Sequence, residues 1–228
     1  MTTYNGNYFN HAGQTAWNLS RLNKLARILG PGWFEGKSVL EVGSGHGMNG
    51  RALIVAGANV TFTDGRALHV DFLKSLGLNA HVMDQDKDWA IDGVFDRRFS
   101  PNHMVWFDLV VHWGVLYHLE NWRQDLKCAL EHTSLMCLET EIVDSDDPLC
   151  ERKVAEIDNY DQALNRTGMI MSAQCLENYL TSLGATFTRY DDEDVDAKPW
   201  GDYSWKSKND GGFHQTASWK NSHRLHAS

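Results

Sequence analysis

Residues 39–50 read VLEVGSGHGMNG, an apolar run that breaks into a turn with a glycine at every second position. The three glycines of this turn are Gly43, Gly45 and Gly47. The apolar run predicts a β-strand over 38–42, and the residues after the turn predict a helix over 47–57. Glycine allows positive φ angles and lets a ligand approach the backbone without meeting a Cβ atom. The helix would present free N–H groups and the positive end of its dipole to that ligand.

An acidic residue follows the next predicted strand. This strand covers 59–63 and ends at Asp64, which is followed by Gly65. An acidic side chain at such a strand end can accept hydrogen bonds from both hydroxyls of a ribose. The turn and the acid together predict a nucleoside-containing cofactor across the ends of parallel strands, with Asp64 and Gly65 in its site.

Two classes of cofactor fit a glycine turn followed by a ribose-binding acid. The dinucleotide fingerprint is G-x-G-x-x-G, whereas the spacing here is G-x-G-x-G. Glu41 lies two residues before the first glycine, where a carboxylate would repel a pyrophosphate but would attract an ammonium group. S-adenosylmethionine carries such an ammonium group and no phosphate, so these residues favour it over a dinucleotide.

The pattern E-x-G-x-G-x-G resembles the first motif of class I S-adenosylmethionine-dependent methyltransferases, and further motifs follow in the family's order over 37–142. Asp64 matches the ribose-binding acid of that family. The sequence HVMDQ at 81–85 is similar to its third strand and the acid that faces the adenine. The sequence FDLVVHWGVLYHL at 107–119 resembles its fourth strand and the segment after it.

The resemblance implies a set of cofactor-binding residues. They are Glu41, Gly43, Ser44, Gly45, Gly47, Asp64, Gly65, Asp84, Gln85 and His112. Asp84 shares one acidic stretch with Asp86 and Asp88, and solvated loop charges are the alternative interpretation of that stretch. Asp64 as a helix-capping turn residue and Glu41 as an exposed strand residue are the corresponding alternatives.

The family resemblance implies an α/β fold: a Rossmann-like, doubly wound, seven-stranded and mostly parallel sheet with one antiparallel strand. Helices would cover both faces, and an N-terminal helical cap would precede the sheet. We expect one domain over 1–228, with a cap over 1–35, a cofactor-binding core over 37–143 and a C-terminal half over 144–228 that carries substrate-side insertions.

The remaining elements are predicted from periodicity and turn residues. The predicted helices cover 15–29, 66–76, 121–132 and 173–183, and the predicted strands cover 78–83, 107–113, 133–143, 185–190 and 212–220. Asn121 and Ser172 are the predicted N-cap residues of the last two helices. Residues 149–171 follow no readable period.

Composition limits the partners and the compartment. The net charge is −9 and the Lys and Arg residues form no cluster, which disfavours nucleic acid as a substrate. The sequence has no run of eighteen apolar residues, so we expect no membrane span, and its first residues lack the features of a signal peptide. The 4 Cys and 11 His residues are scattered, which favours a reducing cytoplasm and predicts no metal site.

Methyl transfer from a sulfonium needs alignment of three atoms and removal of a proton from an oxygen or nitrogen nucleophile. His118, just after the fourth predicted strand, is the candidate base, because a histidine exchanges protons near working pH. The alternatives are that His118 packs on a short helix, or that no base is needed. Trp17 and Arg21 lie four residues apart on the first predicted helix and are either cofactor contacts or ordinary helix residues.

Two further groups of residues are open to a functional or a structural interpretation. An acidic turn at the end of the fifth strand either binds a divalent cation or is solvated, and we favour the solvated turn. Its residues are Glu139, Glu141, Asp144, Asp146 and Asp147. Late aromatic residues either line a substrate pocket or pack against the sheet edge. They are Trp200, Tyr203 and Trp205.

The sequence therefore predicts an enzyme that moves a methyl group from S-adenosylmethionine to a small molecule, preferably to oxygen. A protein of the same fold that binds the cofactor without catalysis is the alternative from another class. A nicotinamide-dependent dehydrogenase is a second alternative, against which the turn spacing and Glu41 argue. The acceptor pocket is expected from segments 1–35, 144–172 and 191–211.

Overall fold

The structure, a computed structural model, describes residues 16–30, 32–87, 89, 105–143, 145–157, 162–190 and 215–224. Its helices are α1 (Ala16–Leu29), α2 (Met48–Val55), α3 (Ala67–Ser75), α4 (Trp122–Glu131) and α5 (Ala173–Ser182), with a 3₁₀ turn at Leu116–His118. Its strands are β1 (Ser38–Glu41), β2 (Asn59–Asp64), β3 (Ala80–Val82), β4 (Leu109–Trp113), β5 (Met136–Val143), β6 (Glu151–Ala155), β7 (Thr167–Ser172), β8 (Ala185–Tyr190) and β9 (Gln215–Arg224).

The described strands form one twisted sheet in which β3, β2, β1, β4 and β5 are neighbours in that order and run parallel. Strand β9 is antiparallel to β5 on one side and to β8 on the other. These seven strands are the predicted seven-stranded, mostly parallel sheet with one antiparallel strand, and the predicted fold class is confirmed.

A β-hairpin that the sequence did not predict is added to this sheet. Strands β6 and β7 pair antiparallel, and β7 also pairs with the last two residues of β5, Ile142 and Val143. Strand β6 has no buried residue, and its sequence ERKVA does not alternate between polar and apolar. It is held in extended form by pairing with β7 rather than by burial of one face, and for this reason periodicity misses it.

Two hydrophobic cores lie on opposite faces of the sheet, because successive strand residues point to opposite sides. Leu40 of β1 and Leu138 of β5 belong to the core that α4 and α5 cover. Val39 and Cys137, their neighbours in sequence, belong to the core that α1, α2 and α3 cover. The helices therefore pack on both faces, and the carboxyl ends of the parallel strands remain at one open edge.

The two predicted N-caps have different outcomes. Ser172 caps α5, because its Oγ accepts the N–H of Cys175 at 3.1 Å. Asn121 stands at the N-cap position of α4, but its side chain makes no capping bond. Its Nδ2 instead donates to the backbone oxygen of Asp86 at 2.9 Å, so it ties the start of α4 to the loop after β3.

Among the described residues, no helix combines the length and the apolar character that crossing a membrane requires.

Substitution of Leu126 by Ala tests the core beneath α4. Leu126 is fully buried, and we expect the substitution to lower the free energy of unfolding by about 2–5 kcal/mol through lost burial and a residual cavity. Urea denaturation followed by circular dichroism measures the change. Leu149→Ala is the matched control, because Leu149 is 84% exposed. A loss of equal size in the control would contradict the assignment of the core.

Candidate functional site

A cavity of about 360 Å³ lies at the carboxyl ends of the parallel strands. Seven of the predicted site residues line it, namely Gly43, Gly45, Asp64, Gly65, Asp84, Gln85 and His118. Four predicted site residues do not line it, namely Glu41, Ser44, Gly47 and His112. The remaining walls come from α1, the start of α3, the segment after β4 and the tip of the β6–β7 hairpin at Gln162, Ala163 and Leu164.

The glycine turn leaves room for a ligand against the backbone. Gly45 and Gly114 both line the cavity with positive φ angles of 52° and 70°, and a Cβ atom added to either would meet no atom within 4 Å. Gly47 differs, because an added Cβ would lie 2.7 Å from the Leu73 side chain. Gly45 and Gly114 thus form a cradle that a side chain would fill, whereas Gly47 allows close packing behind it.

Asp64 stands at the end of β2 with its carboxylate beside the glycine turn. Its Oδ2 accepts the N–H of Gly45 at 2.8 Å, and its Oδ1 accepts the N–H of Arg66 at 2.8 Å. His69 Nδ1 lies 3.2 Å from Oδ1. Each carboxylate oxygen has a second lone pair, so Asp64 can still accept the hydroxyls of a ribose in the cavity.

Glu41 lies behind the turn rather than on the cavity wall. It is 3% exposed, and its carboxylate accepts the N–H of Gly50 at 2.9 Å and Asn49 Nδ2 at 3.2 Å. It therefore anchors the first turn of α2, which holds unpaired N–H groups. The role predicted for Glu41, attraction of an ammonium group, stays a prediction.

Burial raises the pKa of Glu41 to about 7, against the opposing effect of the hydrogen bonds from Gly50 and Asn49. The Oδ1 atom of Asn49 is buried and has no hydrogen-bond partner among the described residues. A protonated Glu41 can donate to that oxygen if the Asn49 amide is turned over. This hydrogen bond would give the Asn49 Oδ1 atom a donor and would stabilise the protonated form of Glu41.

Asp84 and Gln85 follow β3 and face different surroundings. Asp84 Oδ2 lies 2.7 Å from the Nζ atom of Lys87 at the surface. Gln85 is buried, and its Nε2 donates to Asp125 Oδ1 at 3.0 Å. The side-chain amide of Gln85 is thereby held in one orientation on the wall where the sequence predicts the adenine.

His112, the last residue but one of β4, belongs to the same buried network. Its Nε2 lies 2.6 Å from Asp125 Oδ2, and both side chains are fully buried. The indole N–H of Trp89 donates to the other oxygen of Asp125 at 2.9 Å. His112 therefore orients Asp125 from behind the cavity wall.

His118 ends the 3₁₀ turn after β4 and lines the cavity. Its Nδ1 lies 2.7 Å from Glu156 Oε2, and its ring contacts the ring of Tyr117 at 4.0 Å between centroids. No described residue hydrogen-bonds its Nε2 atom. The sequence predicts His118 from its place after the fourth strand. It does not predict Glu156, which lies in the stretch 149–171 that has no readable period.

Arg21 of α1 reaches the cavity from the opposite side. Its Nη1 lies 2.6 Å from Glu139 Oε2, its Nη2 donates to Asn18 Oδ1 at 2.6 Å, and the guanidinium lies 5.2 Å from the centroid of the Trp113 ring. Burial raises the pKa of Glu139, while Arg21 opposes that shift. Glu139 is therefore paired inside the protein and is not part of a solvated acidic turn.

The structure bears on only part of the remaining predictions for acidic and aromatic residues. In the described ranges, no group of three or more His, Cys, Asp or Glu residues could hold a metal ion. Asp144, Asp88 and the aromatic residues Trp200, Tyr203 and Trp205 lie outside the described residues, as does the Trp17 side chain.

Several cavity residues were missed by the sequence analysis. The rings of His46 and His69 contact each other beside the glycine turn, with their centroids 5.3 Å apart and their planes tilted by 58°. Arg66 Nη2 donates to the backbone oxygen of Gln162 at 2.6 Å. His46 stands inside the glycine motif, and Arg66 directly follows Gly65. The only indication in the sequence that His46 and Arg66 belong to the site is that each stands next to a predicted site residue. The hairpin tip at 162–164 has no such neighbour in the sequence.

The raised pKa of Glu41 predicts a pH-dependent stability. A folded-state value of about 7 against the usual 4.5 means that ionisation is disfavoured in the folded protein. Relative to Glu41→Gln, the wild type should therefore lose roughly 3 kcal/mol of unfolding free energy as the pH rises through this window. Urea denaturation of both proteins at several pH values measures this. A difference that does not change with pH would contradict the assigned burial.

Comparison with known proteins agrees with the predicted class. A family model described as a methyltransferase domain matches residues 10–190. No curated protein matches the sequence. Among solved structures, the N-terminal domain of EvdMO1, determined with SAH and D-fucose, is 14% identical with a TM-score of 0.66, over 94% of this chain and 85% of that one.

Two further solved structures are similar. An S-adenosylmethionine-dependent methyltransferase from Mesorhizobium loti is 15% identical with a TM-score of 0.58, over 86% of this chain and 95% of that one. The 1,6-didemethyltoxoflavin-N1-methyltransferase of Burkholderia thailandensis, with bound 1,6-didemethyltoxoflavin and S-adenosylhomocysteine, is 16% identical with a TM-score of 0.54, over 92% of this chain and 78% of that one. At these identities the likeness supports the fold, and the family match carries the assignment: the chain belongs to the methyltransferase-domain family and is a class I S-adenosylmethionine-dependent methyltransferase, as the sequence predicted.

Proposed function

We propose that this enzyme methylates a hydroxyl oxygen of a small molecule, with His118 as the general base. The observation that carries the proposal is the state of His118: its Nδ1 is held by Glu156, while its Nε2 has no hydrogen-bond partner among the described residues. A neutral imidazole with a free ring nitrogen on a cavity wall can take a proton from a hydroxyl. Hydroxyl oxygens gain most from such a base, since an alcohol is a weak nucleophile while it keeps its proton.

The cofactor supplies an activated methyl group on a sulfonium. In the proposed arrangement, Gly45 and Gly114 leave room for it against the backbone, Asp64 accepts the ribose hydroxyls, and Asp84 and Gln85 face the adenine. Gly43 and Gly65 complete the wall. Behind the wall, Glu41 fixes the start of α2, and His112 fixes Asp125, which holds Gln85.

A small acceptor is supported by the size and the charge of the site. The cavity measures about 360 Å³, and a cavity of this size lies in the range of small-molecule sites. The net charge of −9 without a basic cluster argues against a polyanionic acceptor. Among the similar structures, the EvdMO1 domain was determined with D-fucose, a molecule rich in hydroxyl groups.

Binding of S-adenosylhomocysteine tests the cofactor half of the proposal. Replacement of Asp64 by Ala should weaken binding by roughly 1–3 kcal/mol, about 5- to 150-fold, because the ribose hydroxyls lose their acceptor. Isothermal titration measures the affinity, with NAD as a competing candidate. Asp71→Ala is the control, since Asp71 is an exposed acid of α3. Unchanged affinity in the Asp64 variant would place the ribose elsewhere.

Transfer of a labelled methyl group tests the acceptor half. The enzyme is incubated with ¹³C-methyl S-adenosylmethionine and with pairs of small acceptors that differ only in a hydroxyl or an amine at one position. We expect label on the hydroxyl partner, identified by the ¹³C shift of a methoxy group. Once an acceptor is known, His118→Gln should lower kcat by about 10²- to 10⁴-fold, with little change in the affinity for S-adenosylhomocysteine.

The matched control for His118 is His81→Gln, since His81 of β3 is not among the residues that line the cavity and its ring bonds Asn79. This control should retain kcat. Transfer to the amine alone, or full kcat in the His118 variant, would contradict the proposed oxygen chemistry.

A further inference from the structure

Glu156, directly after β6, contacts two parts of the cavity wall with one oxygen. Its Oε2 lies 2.7 Å from His118 Nδ1, and the same atom accepts the backbone N–H of Ala163 at 2.7 Å. The Glu156 side chain is 9% exposed and that of His118 is 14% exposed. A carboxylate in this position is shielded from water and is fixed by two donors from different segments.

Strand β7 packs closely against Glu156 and the turn that carries His118. Gly168 of β7 is paired with Val154 of β6. A Cβ atom added to Gly168 would overlap the backbone oxygen of Tyr117 and would lie 2.6 Å from Glu156 Oε1 and 3.0 Å from the Cα of His118. The hairpin therefore packs with its backbone directly against the 3₁₀ turn that carries His118.

Charged contacts hold the hairpin to the same turn. Glu120, two residues after His118, lies 2.7 Å from the Nζ atom of Lys153 and also accepts the hydroxyl of Thr167. These two residues stand on β6 and β7, so both strands are attached to the segment after β4. The distance between Glu156 and His118 is thus set by the fold as a whole and not by two free side chains.

The chemistry of the pair fixes the proton on the imidazole. Burial works to raise the pKa of Glu156, but the hydrogen bonds from His118 and from the Ala163 N–H lower it below its usual value. Glu156 is therefore an ionised carboxylate, which only accepts hydrogen bonds. Whenever the imidazole carries a single proton, that proton is on Nδ1, which donates to the carboxylate, and the lone pair is on Nε2.

We propose that Glu156 is a positioning residue for methyl transfer, which holds His118 in the Nδ1–H tautomer and ties that state to the hairpin tip. This inference rests on the proposed function of His118 as the base. The tip lines the same cavity, where Leu164 packs against Gly65 and the Arg66 guanidinium donates to the backbone oxygen of Gln162. One carboxylate thus links the base to the segment that covers the predicted ribose end.

The tautomer of His118 is the first readout of this proposal, since the proposal requires that the Glu156 carboxylate hold the imidazole in the Nδ1–H form. The value of kcat then shows whether that form matters for methyl transfer. Long-range ¹H–¹⁵N correlation spectra of the ¹⁵N-labelled protein, recorded at alkaline pH, distinguish the two neutral tautomers of each histidine. The His118 signals are assigned from their loss in His118→Gln. We expect the Nδ1–H form in the wild type, whereas an imidazole free in water prefers Nε2–H.

In Glu156→Leu the side chain offers no acceptor to Nδ1, so His118 should change to the Nε2–H form that a free imidazole prefers. Glutamine is unsuitable here, because an amide oxygen in the place of Oε2 could still accept from both His118 Nδ1 and the Ala163 N–H. The matched control is Glu151→Leu at the start of β6, where Glu151 is paired with Arg123. It should leave the Nδ1–H form in place. An Nε2–H form in the wild type, or an unchanged tautomer in Glu156→Leu, would overturn the proposal. The wild-type spectrum decides even if the variant does not fold.

Titration of the wild type with S-adenosylhomocysteine separates this result from the proposed function. If the ligand fails to bind, the assigned cofactor site is wrong whatever the tautomer. If it binds and the tautomer does not respond to Glu156, only the positioning role is wrong. With an acceptor in hand, Glu156→Leu should lower kcat by about tenfold or more, a part of what a general base contributes, with little change in KM.

Discussion

The hydrogen bond between the Gly45 N–H and Asp64 Oδ2, at 2.8 Å, is the contact on which the site depends. It joins the turn after β1 to the end of β2, so the two strand ends that bear the cofactor motifs form one surface. Gly45 has a positive φ angle of 52°, a backbone conformation that glycine adopts without strain, and its lack of a Cβ atom leaves the cavity side of the turn open. The parallel pairing of β1 and β2 then fixes the register of the whole edge.

Much of this arrangement is local in the sequence, which is why it could be predicted. The glycine turn, Asp64 and the alternation of strands and helices are each visible within a window of about 11–18 residues. The apolar run of β4 likewise marks a central strand, and Leu109, Val110 and Val111 are all buried. These features arise from backbone conformation and burial, and both leave a pattern in neighbouring residues.

The contacts that were missed are long-range and polar. Glu156 acquires its position through His118, which is 38 residues away in sequence, and through pairing of an exposed strand. Glu139 was read as part of an acidic turn, yet it is buried against Arg21, 118 residues away. Periodicity carries no information on which charge meets which, since a single ion pair leaves no repeat in the chain. The same reason hides the Asp125 network, whose members come from three separate segments.

The polar groups around the cavity form two layers with different physical tasks. Asp64, Gln85 and His118 line the cavity, and each is held from behind by a group that does not need to touch a ligand: the turn N–H groups for Asp64, Asp125 for Gln85 and Glu156 for His118. Fixing these side chains before a ligand arrives lowers the entropy lost on binding. Because the other hydrogen-bonding positions of these side chains are already occupied, ligands are distinguished by the hydrogen bonds that point into the cavity. A buried carboxylate is costly unless its oxygens are satisfied, and Asp125 with three donors meets that condition. Burial of these acids lowers the stability of the folded protein, and in return the side chains of the site are held rigid. The two apolar cores, one on each face of the sheet, supply the stability that offsets this loss.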